Sequence, residues 1–525
     1  MNWFEAPAPL FPEIIGLHGR WLGDKPAVVD GDRVFSWREF DVRTNRVAHG
    51  LRQLGVGRGE RVLVLMHNSA EMLEAIWGIL KAGGVAVPLN LSIPDDAVVA
   101  MAGDSGAVAA LASGDQCARL EALRPRLGAV RPGALVAHDA ALAGWHEFGA
   151  WRDAQPAHEQ QPGLGDDDEC NIIYSSGTTG LPKGIVHTHR RRLDWAYDLA
   201  LALRYHGGAR TLCSLGLYSN ISWVGFLCTM LAGGTVVVLR AFEPRVLLET
   251  VQRERITHGA MVPVQFQRLL ELPDFDRYDV GSLRSLMCCG SPLATTLKAD
   301  VIRRLGCELI ELYGLTEGVI TTLAPEDVER KLASVGKPLP GTDLRILGPD
   351  DQEAAPGESG EIVGRGRILM AGYHARPDAN AEATWTDAQG RRWLRTGDVG
   401  RLDEEGFLYI VDRKKDLILS GGQNIYPADI EMVALEHPDV AEVAVIGVQS
   451  ERWGETPLAV VVPRAGAEPD ADELKAWINE RVGRQQRVTG VVLRDSLPRN
   501  PNGKILKREL RVEYAADGAA KRSTT

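Results

Sequence analysis

Between Arg61 and Pro88 the chain spells out a strand, a helix and a second strand. RVLVLM (61–66) is an apolar run of strand length. Ser69 opens a helix that continues through Lys81, the Gly83-Gly84 pair stops it, and VAVP (85–88) is the next strand. Strands this apolar have no polar face to turn to water, so they need helices on both sides, the situation of a mostly parallel α/β sheet. The alternation recurs in TVVVL (235–239), a helix near 245–254, a strand near 257–262 and ELIELYG (308–314). Upstream, residues 28–35 alternate around Asp30-Gly31 as a hairpin. Ser36 then precedes Glu39 at capping-box spacing and opens a helix into the fifties.

Residues 115–170 read as looser, with scattered prolines and an acidic run, DDDE (166–169), expected in a solvated loop before a strand ending near Tyr174. From about residue 335 the texture changes to short strands and turns (GTDLRILGPD, GEIVGRG, GFLYIVD), which predicts a small antiparallel unit. A boundary falls in the charged DRKKD near 412–416. Beyond it a helix around 427–436, strands at 441–447 and 457–463, a helix near 470–482 and a strand at 491–494 make a separate α+β module.

The stretch from Thr211 to Leu239 has no charged residue, but Gly225, Gly233, Gly234 and several hydroxyls interrupt it. It reads as a buried helix, turn and strand rather than a membrane span. The net charge of −11 argues against a nucleic-acid partner. The densest basic cluster, Arg190–Arg192, reads as a solvated helix face. Seven cysteines without CxxC spacing fit neither a disulfide framework nor a zinc knuckle and suit a reducing cytoplasm. The first residues, MNWFEAPAPLFPE, lack the basic and continuous apolar regions of a signal peptide.

The segment richest in chemistry is YSSGTTGLPKG, Tyr174 to Gly184. Glycines let a backbone approach a phosphate, hydroxyls and amides donate hydrogen bonds, and Lys183 adds a compact positive charge. It is not the GxxxxGK[ST] loop, because the lysine precedes Gly184 and Pro182 blocks a helix opening there. The His187-Thr188-His189 triplet offers two metal ligands and no evident third.

This loop resembles the signature of the adenylate-forming enzymes, which comprise acyl-CoA synthetases, adenylation domains of peptide synthetases and luciferases. YGLTE (313–317), TGD (396–398), DRKKDLILSGGQNIYPADIE (412–431) and PRNPNGKILKREL (498–510) follow in the family's order, and the resemblance spans roughly residues 13 to 511. It implies a large N-terminal adenylate-forming domain (1–412) of stacked, mostly parallel α/β sheets plus a small antiparallel barrel-like unit. A hinge joins this to a small, mobile α+β C-terminal domain (413–525). The reaction it implies uses ATP, Mg²⁺ and CoA: a carboxylate attacks the α-phosphate, giving an acyl-adenylate and pyrophosphate, and a thiol then displaces AMP.

By the same resemblance, Ser175, Ser176, Gly177, Thr178, Thr179, Gly180 and Lys183 form the phosphate loop, and Gly290, Ser291, Pro292 and Gly314 line the nucleotide pocket. Tyr313 stacks on adenine. Thr316 is the phosphate-binding hydroxyl and Glu317 the magnesium ligand, a hard carboxylate of the kind Mg²⁺ takes. Asp398 and Arg413 hold the ribose hydroxyls. Lys504 bridges the carboxylate and the α-phosphate, and Lys415 falls at the hinge. Gly421 and Gly422 leave room for a pantetheine arm, and Trp453 is a candidate stacking partner for the CoA adenine.

The acyl pocket is expected around Tyr218, Trp223, Cys288, Cys289, Gly290, Gly314, Leu315 and Val319. Acetate-specific members carry a bulky aromatic where this chain has Gly314, so the pocket is expected to be open and apolar. It suits a medium- or long-chain fatty acid, or an aryl or arylalkyl acid. YSNISW (218–223) offers no carboxylate for an ammonium group, which disfavours an amino acid. No carrier domain is expected after Lys504. One departure stands out: Gln485 and Gln486 occupy the place of the aromatic-lysine pair that relatives present near the CoA entrance. The expected activity is an ATP-dependent acid–CoA ligase, the alternative a stand-alone enzyme loading a separate carrier protein. The expected partners are small molecules, and oligomeric state, a homodimer included, is left open.

Overall fold

The computed structural model describes residues 8–160, 162–174, 182–420, 423–450, 453–499 and 505–520, the side chains of residues 423, 424 and 515–520 excepted. The chain divides into two compact units. The first comprises residues up to 332 with 336–343 and 365–394; the second comprises 333–335, 344–364 and 395 onward.

In the first unit one sheet runs, in spatial order, Lys337–Pro338, Ile320–Leu323, Glu308–Gly314, Ser285–Cys288, His258–Met261, Arg210–Cys213, Thr235–Val238, Pro26–Asp30 and Arg33–Ser36. Its central pairings are parallel and its edges antiparallel. A second sheet runs Gly372–Tyr373, Gly184–Thr188, Glu169–Tyr174, Val85–Pro88, Arg61–Leu65, Ala109–Ser113, Leu135–His138 and His146–Glu147. It is parallel from Glu169–Tyr174 outward and antiparallel at the Glu169–Tyr174/Gly184–Thr188 hairpin.

Local signals set the elements that serve both sheets. Ser69 accepts from the Met72 amide, and Gly83 ends the helix Ala70–Ala82 at φ 84°, a left-handed position that glycine takes without strain. Every residue of that helix is buried, and most of Asn220–Ala232 is too. Side chains from both sheets share one core cluster with Trp77, Trp223 and Phe226 of these helices. A helix enclosed on all sides needs no polar stripe, which explains the uncharged stretch around 211–239. No helix among the described residues is long and apolar enough to cross a membrane.

Two expectations change. Residues 115–170 are more regular than they read. They hold the helix Asp115–Leu123, strands at Leu135–His138 and His146–Glu147, and the short helix Phe148–Asp153. Leu135–His138 is ordered by parallel pairing with Ala109–Ser113, a long-range partner that a four-residue run cannot announce. Nor are the three arginines a solvated face. Arg192 is fully buried, donating through Nε to Asn171 Oδ1 at 2.8 Å, with the Trp195 and Trp223 rings 4.9 and 5.1 Å away. Burial lowers its pKa to about 9. Aromatic faces offset part of the cost of desolvating the guanidinium.

In the second unit, strands at 344–347, 360–364 and 395–402 lie in that order, with Leu408–Arg413 antiparallel to the last. A further sheet orders Gln423–Ile425, Ile418–Ser420, Gly454–Pro463 and Val440–Ser450, with Val491–Leu493 parallel to Gly454–Pro463. Helices Pro427–Leu435 and Ala471–Arg481 cover it. The architecture is thus a large portion of stacked, mostly parallel α/β sheets, a small antiparallel barrel-like unit and a small α+β C-terminal portion.

Candidate active site

The hydroxyl-rich loop connects the two strands of a hairpin in which Tyr174 lies opposite Gly184. Ser175, Ser176, Gly177, Thr178, Thr179 and Gly180 lie outside the described residues, but both ends of the loop are held. Tyr174 donates its phenol proton to Asp104 Oδ2 at 2.8 Å, and Asp104 Oδ1 accepts from Arg376 Nη2 at 2.5 Å. At the other end Lys183 Nζ sits 4.8 Å from the centre of the Tyr373 ring. A strand follows Pro182, so any phosphate here meets loop groups rather than a helix N-terminus.

The same tyrosine reaches the YGLTE segment: Tyr373 donates to Glu317 Oε1 at 2.9 Å. Tyr313 and Gly314 end a strand, and a tight turn follows, with the Leu315 amide bonded to Val319 O and the Gly318 amide to Leu315 O. His187 Nε2 donates to the Thr316 carbonyl at 2.9 Å. Burial, with Arg192 adding to it, holds His187 well below the ordinary imidazole range, so it is the neutral ring that donates. Arg191 Nη1 donates to the Leu369 and Met370 carbonyls at 2.5 and 2.9 Å, and the Met370 amide donates to Glu317 O at 2.8 Å. His187 and Arg191 therefore hold loops. Among the described residues no three His, Cys, Asp or Glu side chains are grouped to hold a metal.

Gly318 has φ 109°, and a Cβ there would come within 2.4 Å of Ile368 O. Both strain and contact act on the residue beside Glu317, so Gly318→Ala should cost about 2–4 kcal/mol and displace the turn. Denaturant unfolding checks this; an unchanged midpoint counts against the geometry.

Gly290 (φ 95°) packs against Ile221 and Val262, which brings it to the segment of Tyr218. Tyr218 and Ser291 are half-buried, and Gly290, Pro292 and Gly314 are exposed. Trp223, Cys288, Cys289 and Val319 form packed structure behind them, Trp223 donating its indole N–H to Leu217 O at 3.1 Å. Burial raises every thiol of the chain, Cys289 and Cys307 to about 12. A thiol reagent at pH 8 should therefore label less than one cysteine rapidly in the native protein and all seven after unfolding. Fast native labelling of two or more would contradict this burial.

In the second unit Asp398 and Arg413 face each other on paired strands, with Arg413 Nε 3.2 Å from Asp398 Oδ1. Burial lowers the pKa of Lys415, and the neighbouring Arg413 adds to the effect. Its carbonyl accepts from Arg511 Nη1 at 3.4 Å, while Arg511 pairs with Asp416 at 3.0 Å. Lys507 pairs with Glu431 at 2.6 Å. Lys504, Gly421 and Gly422 lie outside the described residues. Trp453 is half-exposed at the turn between Val440–Ser450 and Gly454–Pro463. Gln486 is engaged in its own turn, accepting from the Gly483 amide and donating to Asp429.

Sequence reasoning passed over Tyr373 and Lys507, and it read His187 only as half of a metal pair and Arg191 only as part of a solvated face; the partners of all four are distant in the chain. The adjacent glycine in GYH was the one local hint for Tyr373.

A hairpin joined by the hydroxyl-rich segment, a YGLTE turn tied to it through Tyr373, and a separate unit carrying an Asp–Arg pair fit an adenylate-forming class of protein. Comparison makes this specific. Residues 19–374 match the AMP-binding enzyme family and residues 429–504 its C-terminal domain. The chain belongs to this family. Feruloyl-CoA synthase of an Amycolatopsis species is 36 % identical over 499 residues, covering 93 % of this chain and 96 % of that protein. Long-chain-fatty-acid–CoA ligase FadD13 of Mycobacterium tuberculosis is 34 % identical over 483 residues, covering 92 % and 93 %. The structure of o-succinylbenzoate CoA synthetase from Bacillus subtilis, in complex with its acyl-adenylate intermediate, superposes with TM-score 0.82 at 30 % identity, covering 95 % of this chain and 98 % of that one.

Proposed function

We propose that this AMP-forming acid–CoA ligase activates a hydrophobic carboxylic acid, fatty or aryl, and transfers the acyl group to CoA. The observation that carries the substrate class is the small, exposed Gly314, whose neighbours are Val319, Ile320 and Leu312, with no carboxylate in the 218–223 segment. The names of the related feruloyl and long-chain ligases support it.

In this reading the 175–180 loop and Lys183 hold the ATP phosphates, and Thr316 adds a hydroxyl. Tyr313, Gly290, Ser291 and Pro292 bound the base, and Asp398 with Arg413 holds the ribose. Glu317 suits Mg²⁺, which binds through one or two carboxylates plus substrate phosphates rather than in an all-protein cage. When bound, the ion would neutralise developing phosphate charge. Lys504 draws the acid carboxylate and the α-phosphate together. Lys415, the proposed hinge between a 1–412 and a 413–525 domain, then turns the latter so that Gly421, Gly422 and Trp453 meet CoA.

The test is a panel of carboxylic acids with ATP, Mg²⁺ and CoA, following AMP and pyrophosphate separately. AMP and acyl-CoA rising together for one hydrophobic class supports the proposal. Pyrophosphate without thioester moves the acceptor to a carrier protein. Two variants refine it. Gly314→Trp should shift preference at least tenfold toward short acids, scored as a ratio within the variant; unchanged selectivity places the pocket elsewhere. Lys415→Pro should slow thioester formation more than adenylation, and equal rates would remove the hinge from that position.

A further inference from the structure

Residues 372–376 lie in neither signature loop, yet they touch groups on both. Gly372–Tyr373 pairs antiparallel with Ile185–Val186, just past Lys183, and the His374 amide donates to Gly184 O at 2.8 Å. Arg376 holds Asp104, which accepts from Tyr174 at the other end of the loop. Between them Ala375 sits at φ 48°, a conformation a non-glycine residue keeps only where its surroundings impose it. Asn380 accepts from the Tyr373 amide at 2.8 Å and donates to its carbonyl at 3.2 Å, so the backbone of Tyr373 is fixed from both sides.

The side chain of Tyr373 makes two contacts with different chemistry. Its ring faces the Lys183 ammonium at 4.8 Å, and its hydroxyl donates to Glu317 Oε1 at 2.9 Å. Without such a tether a glutamate loses several rotamers on binding a cation, and a lysine more.

We propose that Tyr373 is a positioning residue for metal–nucleotide binding: its hydroxyl fixes the Glu317 carboxylate for the cation, and its ring fixes Lys183 for the phosphates. This rests on the reading of Glu317 and Lys183 given above. It predicts that the two contacts separate. Tyr373→Phe keeps the ring and loses the hydroxyl, whereas Tyr373→Leu loses both.

The experiment is calorimetric binding of ATP to the full chain, without acid or CoA, across a Mg²⁺ titration. Wild type, Tyr373→Phe, Tyr373→Leu and Glu317→Gln are compared, with thermal midpoints recorded for each. For Tyr373→Phe the half-saturating Mg²⁺ concentration should rise about ten- to a hundred-fold, the worth of one hydrogen bond to a charged group, with Mg²⁺-free ATP binding near wild type. Tyr373→Leu should show the same rise and also weaken Mg²⁺-free ATP binding. If Glu317→Gln raises the Mg²⁺ requirement and Tyr373→Phe does not, the positioning role is overturned and the metal reading stands. If neither variant moves it, both fall together. Equal Mg²⁺-free binding by the Phe and Leu variants removes the role of the ring.

Discussion

Lys504→Ala should abolish acyl-adenylate formation from acid and ATP while largely sparing thioester formation from a preformed acyl-adenylate. In the first half-reaction a carboxylate approaches a polyanion, and the barrier is dominated by bringing like charges together in a site with little water. A single positioned cation that contacts both is worth at least a factor of 10²–10³, and more where no other group can substitute. The Arg413 guanidinium is paired with Asp398, and Lys183 lies over Tyr373, so neither is placed by its contacts to take over that task. In the second half-reaction a thiol attacks a neutral acyl carbon, and the same cation has no like charges to reconcile. Pyrophosphate exchange and single-turnover thioester formation separate the two steps. Equal loss in both would reject the role assigned to Lys504.

Lys507→Met should destabilise the C-terminal unit by about 2–4 kcal/mol, with a matching loss of adenylation. Lys507 Nζ lies 2.6 Å from Glu431, and the two side chains are only 15 % and 19 % exposed. Burial alone would lower the Lys507 pKa. Glu431 and then Asp412 overcome this and raise it, which marks the ammonium as the counter-charge to two carboxylates. Removing one member of a buried pair strands the other, typically at 3–5 kcal/mol, reduced here by the partial exposure. Lys507 opens the helix that follows Lys504 by three residues, so the loss should spread to the catalytic step. Pairing Lys507→Met with Glu431→Gln should recover part of the stability, because the stranded charge goes with it. Denaturant unfolding of both variants tests this. A wild-type midpoint for Lys507→Met would mean the pair is solvated in solution.

Much of the fold was legible because its signals are short-range. The Ser36–Glu39 box, the Ser69 cap and the Gly83 stop each concern a few neighbouring residues, and the structure has all three. ELIELYG is a strand over the expected span, Glu308–Gly314. The hairpin near Asp30 is present too, with Gly31 and Asp32 as its two loop residues. Where the reading fell short, the deciding partner was distant. The strand Leu135–His138 exists because Ala109–Ser113 lies beside it. Arg192 is buried because Trp223, far along the chain, covers its face.

The site divides in the same way. The sequence by itself determined which chemical groups are present and in what order: a hydroxyl-rich loop with Lys183, the YGLTE turn, TGD, DRKKD and the terminal lysine motif. Such identities depend on side-chain chemistry and close spacing, both visible in one dimension. Only the tertiary structure decided which groups hold which. It set Asp398 opposite Arg413 by strand register, seated Thr316 on His187, and joined Lys183 to Glu317 through Tyr373. These arrangements follow from desolvation and long-range pairing. The free energy of a buried hydrogen bond or ion pair is set by what surrounds it in space, and sequence order does not encode those surroundings locally.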